Sequence, residues 1–228
     1  MKKSTRIAGI VFLMLSLADV IVLTFHITGA HSILKPLLIP SLAVAALCAL
    51  LPEHRGRKTT LLAADLALHT AGDILLLWDG AVFFAAGLVA FLLGHICYIV
   101  ILLSGMGILL NSKKITLWLL PVAVAIVAAS FFKVEWPLRI VLMVYALTLL
   151  SVPTCGGLWL LCGRKLGWLI LSGGLLFVFS DSLLALKAFN HLDFSLHHAI
   201  VMCTYLVAEL LLVGGMVSHL LHDKPEQR

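Results

Sequence analysis

Five acidic side chains, Asp19, Asp65, Asp73, Asp181 and Glu209, fall inside long apolar runs of a 228-residue chain. A carboxyl group at mid-bilayer costs about 2.5–3.5 kcal/mol on insertion scales, so each such residue needs a cavity, a partner or a reaction to account for it. No arginine lies deep in a run, and Lys35 and Lys187 stand near run ends. Most of these acids are therefore expected to be protonated, to hydrogen-bond one another, or to line a wet cavity. Two carboxyls at one depth cannot both ionise at low cost, which leaves one as an acid and the other as a base. Such a pair can protonate a substrate and direct water onto the resulting cation, as oxocarbenium chemistry requires. Hydrogen bonding to neighbouring helices accounts for the same residues equally well.

The elements that must position these groups follow from composition. The chain is 62% hydrophobic and 12% charged, with a mean hydropathy of +1.12. Its apolar runs are long enough to cross a hydrocarbon core about 30 Å thick. Little chain is left for a soluble domain, a nucleic-acid-binding module or a secreted disulfide scaffold. An outer-membrane barrel would alternate in polarity every second residue, and this chain does not. The reading is all-α: a polytopic transmembrane helical bundle forming one integral membrane domain over residues 1–228. Its eight spans are Ile7 to His26, Ile33 to Leu51, Thr59 to Trp78, Ala81 to Ser104, Ile115 to Phe132, Pro137 to Leu161, Leu166 to Lys187, and Leu196 to Leu220.

Met1-Lys2-Lys3 before the first run imitates a signal peptide, but Ile27-Thr28-Gly29-Ala30 is a poor cleavage site, so the run is read as the first helix. A cytoplasmic amino terminus puts Lys2, Lys3, Arg6, Arg55, Arg57, Lys58, Lys113, Lys114, Arg164, Lys165, Lys224 and Arg228 inside, and only Lys35, Lys133, Arg139 and Lys187 outside. The positive-inside rule then places both termini in the cytoplasm. The third and seventh spans run in the same direction. At 1.5 Å per residue, Asp73 and Asp181 both lie about 21–22 Å from the cytoplasmic edge.

Other candidates follow from spacing. His95 and Tyr98 share one face of the fourth span. Asp65, His69 and Asp73 form an i, i+4, i+8 series, but a metal site would need ligands from further helices, and no metal is expected. Lys35-Pro36 opens the second span, where the lysine can snorkel to a lipid phosphate. Glu209 lies mid-span with Tyr205 one turn away, and Asp19 has no evident partner. His191, His197 and His198 gather with Asp193 in and after the last outer connection as interfacial polar groups. The five cysteines form no CxxC pair and read as buried packing residues. Ala63, Ala67 and Ala71, with Ala86, Ala90 and Gly94, read as helix-packing ladders.

Five strings resemble the YhhN-like or lysoplasmalogenase family of eight-span membrane proteins. They are Lys35-Pro36, Gly72-Asp73 with the leucines that follow, Phe91-Leu92-Leu93-Gly94-His95-Ile96-Cys97-Tyr98, Phe177-Val178-Phe179-Ser180-Asp181-Ser182-Leu183-Leu184, and Tyr205. The resemblance spans essentially the whole chain. It implies hydrolysis of the vinyl ether bond of lysoplasmalogens to a fatty aldehyde and a glycerophospho-ethanolamine or -choline, with Asp73 and Asp181 as the catalytic pair. Lys35, His95, Tyr98, Ser180, Tyr205 and Glu209 are then candidates to bind substrate. Glu209 departs from the pattern, which would carry glutamine there.

Vinyl ether hydrolysis needs a proton delivered to carbon and a water delivered to the resulting cation, tasks within reach of two carboxyls and no cofactor. The expected partners are a lysophospholipid and the bilayer, with no nucleic acid and no obligate protein. The expected location is a bacterial inner membrane. The competing class is a small proton-coupled transporter or channel, which would also use intramembrane acids and glycine-interrupted helices such as that at Ser172-Gly173-Gly174. A metal-dependent lipid amidase or esterase is a third reading, separable by its sensitivity to a chelator.

Overall fold

Every regular element in the computed structural model is a helix, among the described residues 3–27, 29–52, 56–104, 119–131, 136–190 and 192–222. In chain order they are α1 (Lys3–Thr24), α2 (Ala30–Leu50), α3 (Arg57–Leu75), α4 (Ala81–Ser104), α5 (Leu119–Phe131), α6 (Trp136–Leu161), α7 (Gly167–Asn190) and α8 (His197–His222). Each corresponds to one of the eight expected runs. Residues 115–118 and 132 of the fifth run lie outside the described residues, as do His191 and the basic residues Lys2, Arg55, Lys113, Lys114, Lys133, Lys224 and Arg228.

Six helices are long and apolar enough to cross a membrane: α1, α2, α4, α6, α7 and α8. The protein is a multi-pass helical membrane bundle. α3 is too polar to count by composition, and the reason lies in which of its residues are buried. Thr59, Asp65, His69 and Asp73 are all buried, alongside Leu62 and Leu66. These four polar groups face protein, so the low apolar content of α3 does not expose them to lipid.

The described residues gather into two compact units, Met1–Ile101 with Leu212–Arg228, and Leu102–Leu211. In the first, α1 packs on α2 and α2 on α3. α1 turns Ile7, Ile10, Leu13, Met14 and Leu17 outward, an apolar surface suited to lipid. Its carboxyl end closes with Ile27 N–H bonded to Val22 O and His26 N–H to Leu23 O, a Schellman motif with His26 in the left-handed region at φ 54°. Glycines set the approach of α3 and α4. A Cβ on Gly72 would lie 2.7 Å from the Phe91 ring, and one on Gly94 would lie 2.6 Å from the His69 ring. The alanine ladder expected on α3 is not the packing face: Ala67 and Ala71 are exposed. Small residues four apart look the same whether they meet a helix or lipid tails. Here the buried face carries Asp65, His69 and Asp73 instead.

In the second unit α5 packs on α6 and α6 on α7. α6 ends in a second Schellman motif, with Arg164 N–H bonded to Trp159 O, Gly163 N–H to Leu160 O, and Gly163 at φ 76°. The Arg164 guanidinium then sits 5.2 Å above the Trp159 ring. α7 is continuous through Ser172-Gly173-Gly174, so the glycines expected to interrupt a helix do not. Gly174 instead admits Pro153, whose Cδ would lie 2.7 Å from an added Cβ. At Gly156 an added Cβ would fall 2.4 Å from the backbone nitrogen of Leu171, whereas at Gly157 it would meet nothing within 4 Å. Backbone cannot step aside, so Gly156→Ala is expected to destabilise by about 1–3 kcal/mol, while Gly157→Ala is neutral or slightly stabilising. Paired melting curves in one detergent check this, and equal midpoints would contradict the close approach.

Candidate functional site

The first unit buries a polar stripe along α3. Asp65 and His69 are fully buried and Asp73 is 2% exposed. His69 Nε2 stands 3.5 Å from Asp65 Oδ1, one turn back on the same face. α4 completes the cluster because Gly94 lets it close on His69. The His69 ring lies 5.0 Å from that of His95, 5.2 Å from Phe91 and 5.8 Å from Tyr98. His95 Nδ1–H donates to Phe91 O at 2.7 Å, which fixes the ring against its own helix. The shared face expected of His95 and Tyr98 is present, with ring centroids 6.4 Å apart. Both side chains are buried.

Asp73 receives a partner from α2. Lys35 Nζ lies 3.7 Å from Asp73 Oδ1, and the lysine is buried rather than reaching for headgroups. This differs from the sequence expectation, in which Lys35 snorkels to a lipid phosphate. A lysine one turn into a helix can lie along it in either direction. Here the long stem packs inward beside the buried Leu38 and Ile39, and its ammonium offsets the charge of Asp73.

In the second unit Asp181 is half-buried on α7, and the hydroxyl of Tyr145, from α6, donates to its Oδ2. Sequence reading did not select Tyr145. The usable signal is that the chain has three tyrosines and that a phenol in mid-span must find an acceptor. Ser180, next to Asp181, donates to Val201 O at 3.0 Å and ties α7 to α8. Tyr205 meets Phe177 edge-on at 5.3 Å, and Glu209 is fully buried one turn further along α8. Asp73 belongs to the first unit and Asp181 to the second, each with its own partner.

Three further findings bear on the sequence expectations. Asp19, without an evident partner in sequence, accepts from or donates to His31 Nδ1 at 2.8 Å across the α1–α2 turn. Among the described residues no three His, Cys, Asp or Glu side chains converge as metal ligands would, and the Asp65, His69, Asp73 series stays on one helix. The five cysteines form no disulfide with one another, but only Cys155 is fully buried and Cys203 is exposed, so packing is not their common role.

A family model described as the YhhN family matches residues 30–216. The chain belongs to the YhhN family. No curated protein and no solved structure matches it. The YhhN match opens with α2 and ends within α8, so it contains Lys35, Asp73, His95, Tyr98, Tyr145, Ser180, Asp181, Tyr205 and Glu209. α1 precedes the YhhN region, yet its buried Asp19 is bonded to His31 just inside it.

Proposed function

We propose that this YhhN-family protein is a lysoplasmalogenase-type hydrolase. It cleaves the vinyl ether bond of lysoplasmalogens in a bacterial inner membrane, with both termini in the cytoplasm. The observation that carries the reading is the buried pairing of Asp73 with Lys35, since an acid held with an ammonium inside apolar helices is an expensive arrangement to keep without chemical use. The Tyr145–Asp181 hydrogen bond supports it by giving the second carboxyl a fixed orientation.

The reaction uses a carboxylic acid and a carboxylate. The acid transfers its proton to the vinyl carbon distal to oxygen, and the ether oxygen feeds an electron pair to the adjacent carbon, giving an oxocarbenium ion. The carboxylate orients a water and takes its proton as the C–O bond forms. The hemiacetal then collapses, its hydroxyl proton leaving as the glycerol oxygen is protonated, so that aldehyde and alcohol depart and both carboxyls are restored. Asp73 and Asp181 supply these two groups. Lys35, His95, Tyr98, Ser180, Tyr205 and Glu209 are assigned to bind the substrate.

A proton-coupled transporter is the second reading, favoured by the Asp65, His69 and His95 cluster between α3 and α4. Purified protein in non-ionic detergent is expected to release fatty aldehyde from lysoplasmalogen with turnover. Absence of aldehyde in detergent, together with lysolipid-dependent proton uptake by sealed proteoliposomes, would replace the hydrolase with the transporter.

A further inference from the structure

The connection from α7 to α8 carries a mixed-charge cluster that the hydrolytic chemistry does not use. Lys187 Nζ donates to Asp193 Oδ2 at 2.8 Å and to His198 Nε2 at 2.8 Å. Asp193 Oδ1 accepts from Phe194 N–H at 2.9 Å, which holds the carboxylate at the turn. The Lys187 and Asp193 side chains are 30% and 54% exposed, so both charges are reachable. The hydrogen bond from Lys187 pulls the Asp193 carboxyl below its usual range, and it is anionic at neutral pH.

Two surroundings make this more than a surface ion pair. His197, at the first turn of α8, is buried, and neither of its ring nitrogens hydrogen-bonds to a described residue. Its ring lies 5.0 Å from Phe194 and 5.9 Å from His198, inside the same cluster. Leu192, Phe194 and Leu196 are all exposed around the charges. An apolar rim around paired opposite charges suits an amphiphile whose head carries both signs, not a small ion from water.

We propose that the Lys187, His198 and Asp193 cluster binds the zwitterionic headgroup of a lysophospholipid, with the phosphate taken by Lys187 and His198 and the ammonium by Asp193 and the face of Phe194. The scale agrees with a substrate whose reacting bond lies deeper. Lys187 stands six residues beyond Asp181 on the same helix, about 9 Å along its axis, and a glycerol unit together with the two side chains spans that interval. Only this placement rests on the hydrolase reading. The exposed Lys187–Asp193 pair is weakly held and exchanges readily for the ligand's own charges. An anionic headgroup lacking an ammonium would leave Asp193 facing a phosphate, so the site selects ethanolamine or choline over glycerol.

The test uses saturated 1-O-alkyl lysophospholipids, which lack the vinyl ether, and reads their binding to the full chain in non-ionic detergent. Wild type is expected to bind the ethanolamine lipid at least about tenfold more tightly than the glycerol one. Asp193→Asn keeps the Phe194 contact and is expected to abolish that preference, whereas Lys187→Met weakens both lipids about tenfold. If Lys187→Met fails to fold, the Asp193→Asn preference decides alone. Failure of the wild type to bind or to discriminate, or an Asp193→Asn variant that discriminates unchanged, would overturn the assignment. So would competition by inorganic phosphate or free phosphoethanolamine at the lipid's own concentration. Aldehyde release from lysoplasmalogen is followed in parallel. Binding as expected without aldehyde keeps the headgroup site and removes the hydrolase; aldehyde without headgroup preference does the reverse.

Discussion

Asp73→Asn and Asp181→Asn are each expected to lower aldehyde release from lysoplasmalogen at least about a hundredfold, the usual scale of a lost general acid or base. Asparagine keeps the shape of aspartate but neither delivers a proton to carbon nor takes one from water. The two substitutions are not equally clean. In Asp181→Asn the amide oxygen still accepts from the Tyr145 hydroxyl, so the helix contact survives while the acid–base group is gone. In Asp73→Asn the Lys35 ammonium loses a charged partner, so the folded fraction must be measured alongside the rate. A folded Asp181→Asn protein with near-wild-type turnover would remove that carboxyl from the reaction and leave the two-carboxyl mechanism without its second member.

Lys35→Met is expected to be strongly destabilising, and a second substitution should reverse much of the loss. Both partners of the Lys35–Asp73 pair are nearly inaccessible. Removing one ion from a buried pair costs about 3–5 kcal/mol, because the remaining charge loses compensation in a medium that solvates it poorly. For a chain of this length, that is a fall in melting midpoint on the order of 10 °C. Replacing both ions with apolar side chains of similar size is commonly neutral or stabilising. The Lys35→Met/Asp73→Leu protein should therefore melt well above Lys35→Met and yet remain inactive. An unshifted midpoint in Lys35→Met would instead describe a lysine that reaches the headgroups, as its position near the start of α2 suggests from sequence alone.

The contrast over Lys35 shows which features sequence discloses in this fold. The helices are legible because each must be apolar for long enough to cross the core, and composition alone carries that constraint. That constraint does not fix a rotation about a helix axis. The inward turn of Lys35, the burial of Asp65 and His69 and the exposure of Ala67 and Ala71 all depend on rotation. Tyr145 was missed for a related reason: its partner belongs to the next helix, brought into register where Gly156 and Gly174 admit the opposing chain. Asp19 and His31 are joined only because the chain reverses at His26, a residue whose left-handed backbone no periodicity announces.

The polarity of α3 bears on how the protein is made. A segment as polar as α3 gains little by entering lipid alone, and synthesis presents α1 and α2 to the membrane before it. The cation that will face Asp73 is thus already installed when that acid arrives. Order of arrival along the nascent chain supplies α3 with a counter-charge that its own composition lacks.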